Sequence, residues 1–245
     1  MSLSSIKKLW TGIFPKQETD SRSAYNLWAA DYDHQPGNLM LDLDELVFGE
    51  LLKGVEVAGK EIADIGCGTG RHWSKIMAKQ PGRMIGYDVS EGMLEKLQQK
   101  FPSAETYLLG KDNTISLGSG SCDLVCSTLT VAHIDNIGSA LSEWTRIIKD
   151  QGDMLVTDYH PAVLEKGGKR TFHHNGKLVA VKNYIHTIDH IRTIAKQLQL
   201  KEVCFIEKIV DESVKQYYEN KNALAVYEAY KGLPVIYGIH FKKDR

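Results

Sequence analysis

Apolar positions along this chain fall first at helical spacing and then in short continuous runs that alternate with amphipathic stretches. Residues 24–28 and 39–52 carry the helical period and are separated by Gln35-Pro36-Gly37, which predicts two helices joined by a turn. Apolar runs then predict strands at 61–65, 83–87, 106–109, 123–129 and 153–159, with helices at 70–79, 91–100 and 138–149. Such alternation implies parallel strands, because each crossover helix returns the chain to the same edge of the sheet. The fold class is therefore α/β with a doubly wound sheet, and ligands are expected beyond the strand C-termini. After residue 160 the composition shifts to Gly, Lys and His, and Asn175-Gly176 between two short runs predicts an inserted β-hairpin within 161–183. A helix at 187–198, a strand at 202–210, a helix at 213–230 and a strand at 234–241 bring the expected sheet to seven strands. Residues 1–22 read as a flexible N-terminal arm whose Trp10, Ile13 and Phe14 can dock on the body.

Composition narrows the partners. Hydrophobic residues make up 42% and charged residues 25% of the 245, and the net charge of -1 gives no electrostatic reason to expect nucleic acid. Lys7-Lys8 and Lys242-Lys243 read as solvated termini. Cys67, Cys122, Cys126 and Cys204 form no C-x-x-C pair and are expected to be reduced. Without an apolar span or a secretory leader, the expected location is cytoplasmic, with no membrane partner. His186 and His190 stand four apart but lack a surrounding metalloprotease motif, so no metal is expected. A homodimer is left open.

The chemistry concentrates in Asp64-Ile65-Gly66-Cys67-Gly68-Thr69-Gly70-Arg71-His72, a strand end followed by a glycine loop and a helix start. Three alternate glycines free the backbone for positive φ and close approach to a ligand. A phosphate loop would need Lys-Ser or Lys-Thr after Gly70, and none is there. In the dinucleotide fingerprint the third glycine comes one residue later, and Asp64 would repel a pyrophosphate. A ligand with cationic character suits the loop better. S-adenosylmethionine, with an ammonium, a carboxylate, a sulfonium and no phosphate, matches.

This stretch resembles the first motif of class I S-adenosylmethionine-dependent methyltransferases in its D-x-G-x-G-x-G form. The resemblance implies a Rossmann-like seven-stranded sheet, mostly parallel with an antiparallel last strand. One domain is expected over 23–245, with lid helices at 23–57, a cofactor-binding core at 58–160, the hairpin insert at 161–183 and a C-terminal half at 184–245; the resemblance covers Tyr25 to Tyr159 by motif and gives the insert no assignment. It implies S-adenosyl-L-methionine as donor, S-adenosyl-L-homocysteine as product and a small-molecule acceptor. Asp64, Gly66, Cys67, Gly68 and Gly70 would form the donor loop. Asp88, at the end of the next strand, would hold the ribose, the alternative being an ordinary helix cap. Val89 and Met93 would cover the adenine, with Asp112 and Asn113 at its rim. Thr128 would line the methionine part, Tyr32 would cover the donor carboxylate, and His133 is the candidate base. Tyr25, Trp28 and Tyr32 could instead form one packing face, and His133 could be structural. Tyr159-His160-Pro161 and Phe172-His173-His174 are expected around the acceptor. Two rival readings remain at this stage. One is a non-catalytic S-adenosylmethionine-binding protein, and the other is a NAD-binding oxidoreductase.

Overall fold

The alternating runs pair as their pattern requires in a computed structural model that describes residues 18–110 and 114–244. A two-residue strand, β1 (Glu18–Thr19), leads into helix α1 (Ser21–Trp28), whose first turn is closed by Asp20 accepting the Ser23 N–H at 3.0 Å. Residues 18–22, expected in the arm, are thus a strand and the start of a helix. Asn38 caps α2 (Leu39–Lys53) in the same manner. The core follows as β2 (Glu61–Ile65), α3 (Trp73–Met77), β3 (Arg83–Asp88), α4 (Glu91–Lys100), β4 (Glu105–Leu108), β5 (Cys122–Thr128), α5 (Ile137–Ile147) and β6 (Ile148–Tyr159). Then come α6 (Pro161–Glu165), β7 (Thr171–His174), β8 (Lys177–Val181), α7 (Ile188–Gln197), β9 (Leu200–Ile209), α8 (Lys215–Glu219), α9 (Leu224–Tyr230) and β10 (Pro234–Lys243).

Seven strands form one sheet in the order β4-β3-β2-β5-β6-β10-β9. The pairs from β4 to β6 are parallel, and β10 runs antiparallel between β6 and β9. Alternate residues face opposite sides, so Ile62, Leu124 and Leu155 join a core with α2, α3 and α9. Their neighbours Ala63, Val125, Met154 and Val156 join another with α5 and α7. Both faces are covered, and strands apolar on both sides follow from that. The β7–β8 hairpin turns at Asn175 (φ 50°) and Gly176 (φ 71°), both left-handed, as the Asn-Gly pair predicts.

Several boundaries differ from expectation, each for a local reason. The helix expected over 213–230 is broken, because α8 ends at Glu219 and Asn222 at φ 53° turns the chain before α9 begins at Leu224. The helix expected at 70–79 shrinks to α3, since Gly70 at φ 73° holds the preceding turn open. Helix α6 is additional. Pro161 opens it and His160 Nδ1 accepts the Ala162 N–H at 3.1 Å. Among the described residues no helix is long and apolar enough to cross a membrane, and no three His, Cys, Asp or Glu side chains cluster as a metal site.

Candidate active site

Where β2 ends, the Gly66 and Cys67 N–H groups both donate to the Tyr87 carbonyl, at 2.7 and 3.0 Å, which bends the loop across the tip of β3. Gly66 sits at φ +75°, and a Cβ there would lie 2.1 Å from Thr130 Oγ1. The loop after β5 therefore requires glycine at this position. Gly68 differs, because a Cβ on it meets no protein atom within 4 Å and Gly68 lines the central cavity. The space a side chain would fill there is open. Asp88, buried at the end of β3, accepts the Gly68 N–H through Oδ2 and the Ser90 N–H through Oδ1, each at 2.8 Å. Each oxygen keeps a lone pair for a further donor. Burial pushes the Asp88 carboxyl up to about 6.

A cavity of about 280 Å³ opens beyond the tips of β2, β3 and β5, lined also by Ser21 and Tyr25 of α1 and by Arg170 and Tyr184, which flank the β7–β8 hairpin. Of the residues singled out from sequence, Gly66, Gly68, Asp88 and Val89 line one side. Met93, Thr128, Tyr32 and His133 complete the set that lines it. Asp64, Cys67 and Gly70 do not line the cavity. Asp64 is 5% exposed beneath the loop, where it accepts the Trp73 indole N–H at 2.8 Å, and burial raises its carboxyl to about 6. A direct pairing of Asp64 with a donor ammonium is therefore replaced by a supporting position under the loop. Cys67 turns into the core against Gly86, where burial pushes its thiol up, and Gly70 packs under Leu97. Asp112 and Asn113 lie outside the described residues.

His133 faces the cavity, yet its surroundings do not equip it as a base. Its Nδ1 lies 3.1 Å from the Lys182 carbonyl, which assigns the ring proton to Nδ1. Nε2 then accepts from the Tyr25 hydroxyl at 2.9 Å, with Arg170 Nη1 3.1 Å away. Burial, helped by the Arg170 charge, pushes the imidazole down to about 3, so it is neutral at pH 7 and reluctant to take a proton. His133→Gln is expected to leave S-adenosylhomocysteine affinity within about threefold. The variant's pH–rate profile should keep its neutral limb, and loss of that limb would restore His133 as the base.

Sequence reasoning missed Arg170 altogether. It is 6% exposed, reaches from the hairpin insert into the cavity, and donates to the Leu129 carbonyl at 2.9 Å. A single arginine in a Gly- and Lys-rich insert carries no spacing signal. Asp44 was missed as well, hidden among the polar positions of α2. Fully buried, it accepts from Arg71, from His72 Nε2 at 2.9 Å and from Thr157. It ties the residues after the glycine loop to α2 and β6. Tyr25, Trp28 and Tyr32 are both site and packing, since Trp28 stacks on Phe172 at 4.5 Å while Tyr25 and Tyr32 line the cavity.

The family described as a methyltransferase domain matches residues 63–156. A malonyl-[acyl-carrier protein] O-methyltransferase of Yersinia pestis is 34% identical over 119 residues, 47% of this chain and 43% of that protein. A ubiquinone/menaquinone biosynthesis C-methyltransferase of Campylobacter jejuni is 32% identical over 114 residues, 44% of this chain and 47% of that protein. The chain thus spans less than half the length of these curated relatives. A solved S-adenosylmethionine-dependent methyltransferase from Mesorhizobium loti superposes with a TM-score of 0.62 at 16% identity, covering 79% of this chain and 96% of that one. The aligned segment begins inside β2 and ends inside β6, so it contains the glycine loop, Asp88 and the tip of β5. Sheet order and superposition agree that the chain has the Rossmann-like fold of the methyltransferase structures, and residues 63–156 match the methyltransferase domain family.

Proposed function

We propose that the chain binds S-adenosylmethionine in this cavity and transfers its methyl group to a small-molecule acceptor. The observation that carries the reading is Asp88, whose carboxylate fixes the Gly68 N–H at the cavity wall and retains lone pairs toward the cavity. A ribose diol is the complement of such a carboxylate. Val89, Met93 and Leu109 supply apolar surface beside it for an adenine, and Thr128 with Tyr32 extends the wall toward a methionine tail. The bare face of Gly68 is the cradle that admits the ligand.

When bound, the donor would supply a methyl group already activated by its sulfonium, so in-line displacement needs alignment more than proton transfer. Alignment alone is worth about 7–11 kcal/mol when both partners are held in near-attack geometry. The residues around the cavity suit that task. Tyr25, Tyr32 and the hairpin cover the cavity and exclude water, and His133 holds the Tyr25 hydroxyl in place. The two relatives are named for O- and C-methylation, so their names do not choose the methylated atom.

Calorimetric titration with S-adenosylhomocysteine, with NADH in parallel, tests the donor. Saturable binding of the homocysteine product without NADH binding is expected, and NADH binding alone would overturn the proposal. Asp88→Ala should weaken product binding roughly ten- to a hundredfold, the value of hydrogen bonds to a charged group. In the wild type, affinity should also fall as pH drops through about 6, because protonation removes Asp88 as a charged acceptor. A flat profile between pH 5 and 7 would sink the assignment.

A further inference from the structure

Among the described residues, Arg170 is a buried cation with no anion of its own. No carboxylate of the described residues lies within ion-pair distance of its guanidinium. Nη1 is held by neutral groups, namely the Tyr25 hydroxyl, the Leu129 carbonyl and His133 Nε2, and the guanidinium lies 4.7 Å from the Tyr159 ring centroid. Asp158, the carboxylate that acts on it electrostatically, forms no ion pair with it and accepts instead from the Ala132 N–H at 2.7 Å and the Tyr159 N–H at 2.6 Å. A buried charge left to dipoles and ring faces is costly, which makes an anion from outside the natural complement. Among the described residues lining the cavity, Arg170 is the sole lysine or arginine.

Its position says which part of the cavity the anion would occupy. The guanidinium is bonded to Leu129, one residue past the end of β5, while Asp88 marks the end of β3. Strand β2 lies between those two tips in the sheet. Arg170 also comes from the hairpin, outside the segment 63–156 that matches the methyltransferase domain family. We infer that Arg170 seats a carboxylate of the acceptor at the β5 end of the cavity, so that the substrates are small carboxylic acids. The guanidinium fork can hold both oxygens of such a group at once, which orients as well as attracts it. The inference rests on the donor reading proposed above.

The test separates the two. Wild-type protein, Arg170→Met and Arg170→Lys are first titrated with S-adenosylhomocysteine. Each is then saturated with it and titrated with acetate, malonate and benzoate at constant ionic strength, with acetamide, malonamide and benzamide as neutral controls. At least one carboxylate should bind the wild type saturably and at least about tenfold more tightly than its amide. Arg170→Met should lose that binding by roughly ten- to a hundredfold while keeping S-adenosylhomocysteine affinity within about threefold, and Arg170→Lys should retain part of it. The wild-type comparison of acid with amide needs no variant, so a misfolded Arg170→Met leaves the inference open to refutation. Wild-type protein that binds the homocysteine product but none of the three acids overturns it. So does equal carboxylate binding by Arg170→Met. A tenfold or greater loss of product affinity in folded Arg170→Met would instead assign the guanidinium to the donor's own carboxylate. Failure of the wild type to bind S-adenosylhomocysteine overturns the donor reading, and the inference with it.

Discussion

Gly66→Val should abolish S-adenosylhomocysteine binding, with affinity reduced at least about a hundredfold on two independent grounds. The residue sits at φ +75°, a region that costs an ordinary L-residue about 1–2 kcal/mol and a β-branched one more. The new Cβ would also lie 2.1, 2.6 and 2.9 Å from Oγ1, Cγ2 and Cβ of Thr130, so no rotation of the threonine relieves every contact. The loop after β5 must move, and with it Leu129 and the cavity wall. Adding Thr130→Ala to the milder Gly66→Ala should recover part of the affinity, because it removes two of the three contacts and leaves mainly the backbone strain. Calorimetry on the folded variants decides the matter. Binding by Gly66→Val within about threefold of wild type would refute the placement of the donor against this loop.

Asp44→Ala should cost about 3–5 kcal/mol of stability at pH 7, the range for stripping one partner from a buried ion pair. The carboxylate is completely buried and holds Arg71, His72 and Thr157 together, so its loss leaves the Arg71 charge without its main partner. Although burial alone would raise the Asp44 carboxyl, Arg71 and the hydrogen bonds hold it well below the usual carboxylate range. A depressed folded value means that the stabilisation is fully present above the unfolded value near 3.8 and is lost as pH falls below it. The gap between wild type and Asp44→Ala in urea unfolding should therefore be widest at neutral pH and narrow below about pH 4. A difference under about 1 kcal/mol at pH 7 would show that the network contributes little.

The parts legible from sequence were those written in short-range pattern. Short continuous apolar runs at 61–65 and 123–129, apolar on both faces, placed the central strands, and the crossover helices then required the parallel order that β2, β3 and β5 adopt. Gly66, Gly68 and Asp88 were legible because their spacing reflects one compact strand–loop–strand unit. Arg170 and Asp44 were not, because their meaning depends on partners 41 and 113 residues away. Periodicity also treats a polar residue on a helix as solvent-facing, and Asp44 on α2 is the exception that pairing permits. The break at Asn222 escaped for a different reason. Apolar residues continue at helical spacing on both sides of it, from Tyr217 and Tyr218 to Tyr227 and Tyr230, so the periodic signal spans a left-handed residue between the two helices.

The cover over the cavity has a thermodynamic character distinct from the sheet beneath it. It is made by α1 and the β7–β8 hairpin, segments about 150 residues apart in sequence, joined by the Trp28–Phe172 stack, the β1–β8 pairing and a Lys169–Glu18 ion pair. The small aromatic cluster between them is separate from the two large cores. Such a unit can open while the seven-stranded sheet stays intact, so amide hydrogens of 171–181 should exchange with solvent faster than those of β2 and β5. A ligand held beneath the cover would slow that exchange. Opening of the cover, rather than the displacement at carbon, would then set how quickly the spent donor leaves.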